Sequence, residues 1–130
     1  MKRQARGFTL IELLIVVVIL GILVSIVVPK FANGKERAMV ASMKSDLRNL
    51  IAAEEAFFTN ALTYYAGAIP DAAFPYNTSQ DVSVTLSSVT NAGWAASATH
   101  SGTGKTCAVF VGAAAPLAPA TQEGQVACTT

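Results

Sequence analysis

The stretch GFTLIELLIVVVILGILVSIVV, residues 7–28, decides how this chain is organised. Its apolar run from Phe8 to Val28 covers 21 residues, which as a helix would extend about 32 Å at 1.5 Å per residue. That length matches the hydrocarbon core of a bilayer, which is about 30 Å thick. Three basic residues precede the run, so the positive-inside rule keeps the N-terminus in the cytoplasm. The sequence therefore predicts a single membrane-spanning helix.

Glu12 is the one charged residue inside this run. A carboxylate at the bilayer centre costs about 2.5–3.5 kcal/mol on insertion scales. None of the residues one helical turn away, Phe8, Thr9, Ile15 and Val16, is expected to pair with Glu12, so we expect a cationic partner from elsewhere. Cleavage before Phe8 would create such a cation, the new α-amino group, in the same subunit or a neighbour. The alternative is a carboxylate that snorkels to the cytoplasmic surface.

The segment GFTLIEL, residues 7–13, behind a short basic leader, resembles the N-terminus of type IV pilins and pseudopilins. The resemblance implies that a prepilin peptidase cleaves between Gly7 and Phe8 and methylates the new amine of Phe8. It also implies that Glu12 neutralises the N-terminal amine of an adjacent subunit during filament assembly. The leader peptide is then residues 1–7, with Lys2, Arg3 and Arg6.

Gly21 and Pro29 match positions at which members of this family weaken the helix inside the filament. Glycine costs a helix about 1 kcal/mol relative to alanine, and proline costs about 3 kcal/mol because it removes a hydrogen bond. We expect residues 21–29 to stay helical in the bilayer, where freed carbonyls find no partner. In the filament we expect the same segment to be unwound.

The chain after Pro29 is predicted to continue as an amphipathic helix to Thr59. The helix then has a transmembrane and filament-core part, residues 8–29, and an amphipathic part, residues 30–59. Apolar side chains recur there at spacings of three and four, which is typical of one buried helix face: Val40, Met43, Leu47, Leu50 or Ile51, and Phe57. The remaining surface is predicted to carry the charged residues Lys35, Glu36, Arg37, Lys44, Asp46 and Arg48.

Residues 60–130 are predicted to form a small β head that begins with a loop rich in aromatic residues. Alternating apolar and polar residues predict strands separated by Gly- and Asn-containing turns. An antiparallel sheet that buries one face offers a surface for the helix, so we predict an α+β, pilin-like fold. The expected strands are residues 82–87, 94–99 and 106–111, with a short edge strand within residues 125–128.

Two cysteines, Cys107 and Cys128, lie in the predicted head. The resemblance to the disulfide-bounded region of pilins implies that they form a bridge. Oxidising conditions outside the cytoplasm favour such a bridge, and closing a loop of this length stabilises a domain by about 3 kcal/mol. Two free thiols are the alternative.

Residue composition and net charge exclude several classes of function. Hydrophobic residues make up 52% and charged residues 13% of the 130 positions, which excludes a disordered tail. Without the leader, six basic and eight acidic side chains leave a balance of −2, so no specific binding to nucleic acid is predicted. A single His and no nucleophile–base arrangement predict no metal site, no cofactor, no catalytic residue and no enzymatic activity.

The resemblance implies a structural subunit of a type IV pilus. Such a subunit is inserted in the bacterial inner membrane with its N-terminus cytoplasmic, cleaved, N-methylated and polymerised into a helical homo-oligomer on the cell surface. Its expected partners are the prepilin peptidase and the pilus assembly platform and motor. The alternative is a pseudopilin of a type II secretion system. A membrane-anchored enzyme or transporter accessory is the third possibility.

Overall fold

A computed structural model describes residues 7–130 of the chain. Within these residues a long helix, α1, precedes a four-stranded antiparallel sheet, which confirms the α+β prediction. The ends of α1 lie two residues further along the chain than expected. The elements are α1 (Leu10–Ala61), β1 (Val82–Thr90), β2 (Gly93–His100), β3 (Thr106–Gly112) and β4 (Ala127–Cys128).

The chain separates into two compact units. The first ends at Lys35 and the second comprises Glu36–Thr130. The leader residues Lys2, Arg3 and Arg6 lie outside the described residues. The segment division predicted from sequence, with boundaries at residues 29 and 59, stays a prediction because both positions lie inside α1.

The sheet of the second unit has the strand order β1-β2-β3-β4. Adjacent strands are also consecutive in sequence, which is a simple meander. The long pairings place Val84 opposite Ala98 and Ala96 opposite Val109. β1 runs three residues further than predicted because a register shift between Ser87 and Thr90 lets pairing continue.

The main core lies between one face of this sheet and the part of α1 that belongs to the second unit, from Glu36 onward. Met43, Leu47 and Leu50 of the predicted stripe are fully buried, and Trp94 is nearly so. The stripe is therefore core, as the spacing predicted. The sheet and the preceding loop contribute the remaining large core residues, Tyr65, Phe74, Tyr76, Val82, Val84, Ala96, Ala98, Cys107 and Val109.

A second, smaller core covers the opposite face of β2 and β3. Phe110 and Ala95 are buried there beneath the loop that follows β3. Gly112, the last residue of β3, leads into this loop with φ of 66°, a conformation that glycine adopts without strain, and the Ala113 N–H donates to the Ala92 carbonyl at 2.9 Å. The prediction that the sheet buries one face was wrong at its centre, because the Ala- and Pro-rich loop folds back over it.

Asp46 does not lie on the solvent-facing side of α1. It is 3% exposed, and its two carboxylate oxygens accept the Ser79 N–H at 2.8 Å and the Ser79 hydroxyl at 2.9 Å. The Tyr76 hydroxyl donates to the Asp46 carbonyl at 2.8 Å. The predicted surface position was wrong because hydrogen bonds from the loop before β1 compensate for the desolvation of this carboxylate.

Candidate functional site: the N-terminal processing and assembly segment

Gly7, Phe8 and Thr9 are exposed and lie outside regular secondary structure, directly ahead of α1. Phe8 is 78% exposed, and a β-carbon built at Gly7 meets no atom within 4 Å. The bond between the two residues is therefore accessible to a second protein. Packing among residues 7–130 does not require glycine at position 7.

Thr9 and Glu12 start α1 with a capping box. One oxygen of the Glu12 carboxylate accepts the Thr9 N–H and the Thr9 hydroxyl, both at 2.8 Å. The Thr9 hydroxyl in turn accepts the Glu12 N–H at 3.3 Å. This reciprocal arrangement satisfies N–H groups that the first turn of a helix leaves without partners.

The expectation that no flanking residue pairs with Glu12 was therefore wrong. Thr9 supplies no charge, but its two donors hold the carboxylate at the N-terminal end of the helix dipole, where a negative charge is stabilised. Thr9-Leu10-Ile11-Glu12 fits the sequence signature of a capping box, which would have indicated this pairing. The hydrogen bonds leave the negative charge of Glu12 without a cationic partner among the described residues.

The apolar part of α1 that follows Glu12 has no cover in the first unit. Every residue from Gly7 to Lys35 is exposed. This is the one described helix long and apolar enough to cross a membrane, with a mean hydropathy of 3.2 over its most apolar window. Length and composition alone support that assignment. An apolar surface of this size indicates burial in lipid or against other protein chains.

The Gly21–Pro29 segment is helical within α1. Pro29 has no N–H to donate to the Ser25 carbonyl, and the Ser25 hydroxyl donates to the Ile22 carbonyl at 2.7 Å. A β-carbon at Gly21 meets no atom within 4 Å, so glycine is not required there by packing within the chain. Unwinding of this segment in a filament stays a prediction.

Cys107 and Cys128 form a disulfide bond. They occupy directly paired positions of β3 and β4, and the Thr129 N–H extends the pairing by donating to the Thr106 carbonyl at 2.9 Å. The intervening loop is also held by Glu123, whose carboxylate accepts the Gly112 N–H at 2.8 Å. The bridge thus closes the loop that covers the second core.

Glu54 is a buried carboxylate that the sequence reading did not single out. It is completely buried, and its Oε2 accepts the Tyr65 N–H at 2.8 Å, whereas its Oε1 has no hydrogen-bond partner. Burial raises the pKa of Glu54 to about 7, and the Tyr65 N–H offsets part of that rise. The signal was its position, four residues after Leu50 and three before Phe57 in the apolar stripe.

The part of the chain that the structure describes contains no group of three or more His, Cys, Asp or Glu residues able to hold a metal ion. The features with chemical consequence are therefore the accessible Gly7–Phe8 bond, the capped Glu12, the uncovered apolar helix and the buried Glu54.

Comparison with known proteins bears on this N-terminal segment. Residues 2–28 match the family model for the prokaryotic N-terminal methylation motif. The chain is 41% identical over 63 residues to the type II secretion system core protein G of Pseudomonas aeruginosa, covering 48% of this chain and 44% of that one. It is 44% identical over 59 residues to the type IV major pilin protein PilA of Myxococcus xanthus, covering 45% and 27%.

A third relative is the type II secretion system core protein G of Klebsiella pneumoniae. It is 53% identical over 47 residues, which cover 36% of this chain and 33% of that protein. The matches thus span less than half the length of these curated relatives. The chain thus carries the prokaryotic N-terminal methylation motif and is similar to type II secretion system core proteins G and to a type IV major pilin.

Proposed function

We propose that this chain is the structural subunit of a type IV pilus filament and not an enzyme. One observation carries the proposal: an accessible Gly7–Phe8 bond leads directly into a capped Glu12 and an uncovered apolar helix. The apolar surface demands a nonpolar environment. A membrane supplies it before assembly, and other copies of the same helix supply it in the filament.

Assembly is proposed to use the negative charge of Glu12. Cleavage by a prepilin peptidase after Gly7 leaves the α-amine of Phe8 three covalent bonds from the Thr9 amide nitrogen that already donates to Glu12. The amine of an incoming subunit then pairs with the Glu12 carboxylate of its neighbour. In the low dielectric of a packed helix bundle, such a charge pair is much stronger than in water, so it aligns the two helices.

Localisation follows from the same segment. The apolar helix and the N-terminal methylation motif are consistent with an inner-membrane anchor before assembly. We propose that the subunit then passes to a surface filament with the help of an assembly platform and motor.

Intact-mass spectrometry of the filament protein tests the processing step. The expected mature chain begins at Phe8 and carries one methyl group on its amine. A chain that still begins at Met1, or one that begins after Pro29, contradicts the proposal. A Gly7→Ala variant is the matched control, because space at Gly7 is open in the folded chain. It should remain folded but be cleaved more slowly.

The second candidate is a pseudopilin of a type II secretion system. Relatives named type II secretion system core protein G, from Pseudomonas aeruginosa and Klebsiella pneumoniae among others, favour it. Both candidates use the same cleaved, polymerising helix, so processing does not separate them.

Deletion of the chain separates the two candidates. A pilus subunit is expected to be abundant in filaments sheared from the cell surface, and its deletion should remove those filaments while protein secretion continues. A pseudopilin is expected to be absent from sheared filaments, and its deletion should trap secreted enzymes in the periplasm. Reintroduction of the wild-type chain should restore whichever property was lost, and a Glu12→Ala chain should not.

A further inference from the structure

The loop between α1 and β1 is fastened to the helix through two carboxylates. Within this segment we call residues 62–76 the aromatic loop. Glu54 accepts the Tyr65 N–H near the start of this loop, and Asp46 accepts both donors of Ser79 just after its end. The carboxylates lie eight residues apart on α1, or about 12 Å along its axis. The aromatic loop therefore has one anchor near each end.

The two carboxylates differ in how many of their side-chain oxygens accept hydrogen bonds. Both side-chain oxygens of Asp46 accept hydrogen bonds. Glu54 is completely buried with only Oε2 bonded, and Oε1 faces the protein interior without a partner. A buried carboxylate with an unpaired oxygen is far more costly when it is ionised than when it is neutral.

No cation compensates Glu54 among the described groups around it. The titratable groups that face this region are acids or phenols. They are Glu55 on α1, Glu123 in the loop after β3, and three residues of the aromatic loop, Tyr64, Tyr65 and Asp71. The negative charge of Glu54 raises the pKa of both phenols, though burial for Tyr64 and hydrogen bonding to Asp71 for Tyr65 are the larger causes.

The aromatic contacts around the Glu54 anchor depend on Tyr65. Its ring stacks on Phe74 with centroids 4.5 Å apart and meets the edge of Phe57 at 5.5 Å. Phe57 belongs to α1, and Phe74 belongs to the aromatic loop. Release of the Tyr65 N–H by Glu54 would let the backbone of the loop move and would loosen these ring contacts with the helix.

We propose that Glu54 is a proton-operated latch, which holds the aromatic loop on α1 when it is protonated and loosens it when it ionises. The proposal does not depend on which filament the chain builds. The pKa of Glu54 rises from its ordinary value of 4.5 to about 7 on burial. The closed loop therefore binds the proton more tightly than the open loop, in which the carboxyl reaches water.

The direction of the pH effect follows from this difference. The latch stabilises the closed loop fully below pH 4.5, the ordinary pKa of the carboxyl. Its contribution falls as the pH rises towards 7 and is lost above about pH 7. Since one proton is linked to opening, the equilibrium constant for opening rises by at most about tenfold per pH unit across that window.

Hydrogen exchange of the full chain in detergent micelles tests the latch. Exchange of the Tyr65 amide is measured at about pH 5 and pH 8 and corrected for intrinsic exchange. We expect the opening constant to rise at least about tenfold between these conditions. The Ser79 amide is the internal control, because it donates to the fully satisfied Asp46. Its protection should change much less.

Two variants sharpen the test. Glu54→Gln keeps an oxygen acceptor for the Tyr65 N–H but cannot ionise, so its Tyr65 protection should be independent of pH. Glu55→Gln removes an exposed carboxylate one residue away and should behave like the wild type.

Three results would overturn the latch: wild-type Tyr65 protection that is equal at both pH values, a Glu54→Gln chain that keeps the wild-type pH dependence, or an equal change at Ser79, which indicates global unfolding. The wild-type comparison of Tyr65 with Ser79 decides the matter even if Glu54→Gln fails to fold.

Discussion

The two compact units of this chain bury their apolar residues in different ways. In the first unit, every residue from Gly7 to Lys35 is exposed although most are apolar. In the second unit, Glu36–Thr130, one helix stripe and one sheet face form a closed core around Trp94. The same helix, α1, enters both units.

This difference indicates that the two parts of α1 have different roles. The second unit satisfies its apolar surface internally and its polar groups through anchors such as Asp46 and Ser79. The first unit satisfies only its backbone, through helical hydrogen bonds and the Thr9–Glu12 cap. Its side chains need contact with lipid or with other protein chains, as expected of a segment through which subunits assemble.

Removal of the Glu12 charge is expected to have the largest effect, because it disables assembly through the first unit without touching the second. We expect Glu12→Gln and Glu12→Ala to insert in the membrane at least as well as the wild type, since a costly charge is gone. Filament yield should fall by about tenfold or more, as expected when a desolvated charge pair loses one partner. Quantitative immunoblotting of sheared filaments and membranes measures both effects.

Thr9→Val is the matched control for this experiment. It removes the capping hydroxyl, at a cost of about 1 kcal/mol to the helix start, but leaves the Glu12 charge. Filament yield should stay near that of the wild type. If Thr9→Val lowers yield as much as Glu12→Ala does, the cap and not the charge is what assembly needs.

A pair of leucines on α1 tests the difference between the two units next. Leu47 is fully buried in the main core, whereas Leu20 is exposed. Leu47→Ala should lower the free energy of unfolding by about 2–5 kcal/mol. Leu20→Ala should leave it unchanged, because it removes no contact inside the second unit. Thermal denaturation in detergent micelles, followed by Trp94 fluorescence, measures both; equal losses would refute the division between the units.

Loss of the Cys107–Cys128 bridge should have a somewhat smaller effect. The bridge closes the loop over the second core, and a loop of this length contributes about 3 kcal/mol by restricting the unfolded chain. The double variant Cys107→Ser with Cys128→Ser should therefore melt at a lower temperature than the wild type. The wild type under reducing conditions should match it. An unchanged melting temperature in both cases would show that hydrogen bonds such as Glu123 to Gly112 suffice to hold the loop.

The smallest effect is expected from Gly21→Ala. Alanine favours a helix by about 1 kcal/mol over glycine, and the site has room for the methyl group. The isolated chain should stay helical and stable, as circular dichroism would report. Filament formation should weaken modestly if residues 21–29 unwind on assembly. Faster or more abundant assembly would argue against unwinding.

The residues of α1 show why the sequence predicted the buried apolar stripe but not the two buried carboxylates. Spacing along α1 predicted the buried stripe, because Met43, Leu47 and Leu50 repeat at helical period. The same spacing includes Asp46 and Glu54, whose burial depends on Ser79 and Tyr65, donors 33 and 11 residues away in sequence. A local pattern carries no information on such distant donors.

The second core shows the same limit. Residues 113–126 contain prolines, alanines and glycine, which predict a loop correctly but not where the loop goes. Its return over Phe110 depends on the disulfide and on the Glu123 contact with Gly112. For the candidate site, the sequence motif located Gly7, Phe8 and Glu12, whereas their roles in processing and assembly stay predictions that only a filament can test.

A density map of the assembled filament, at a resolution that shows side chains, tests whether the N-terminal helices and Glu12 hold the subunits together. We predict that residues 8–28 of every copy lie in the filament interior against the same segment of other copies. The Glu12 carboxylate should lie within hydrogen-bonding distance of a neighbouring Phe8 amine. A filament held together only through residues 36–130, with its apolar helices outside the interior or Glu12 remote from every amine, would contradict the account.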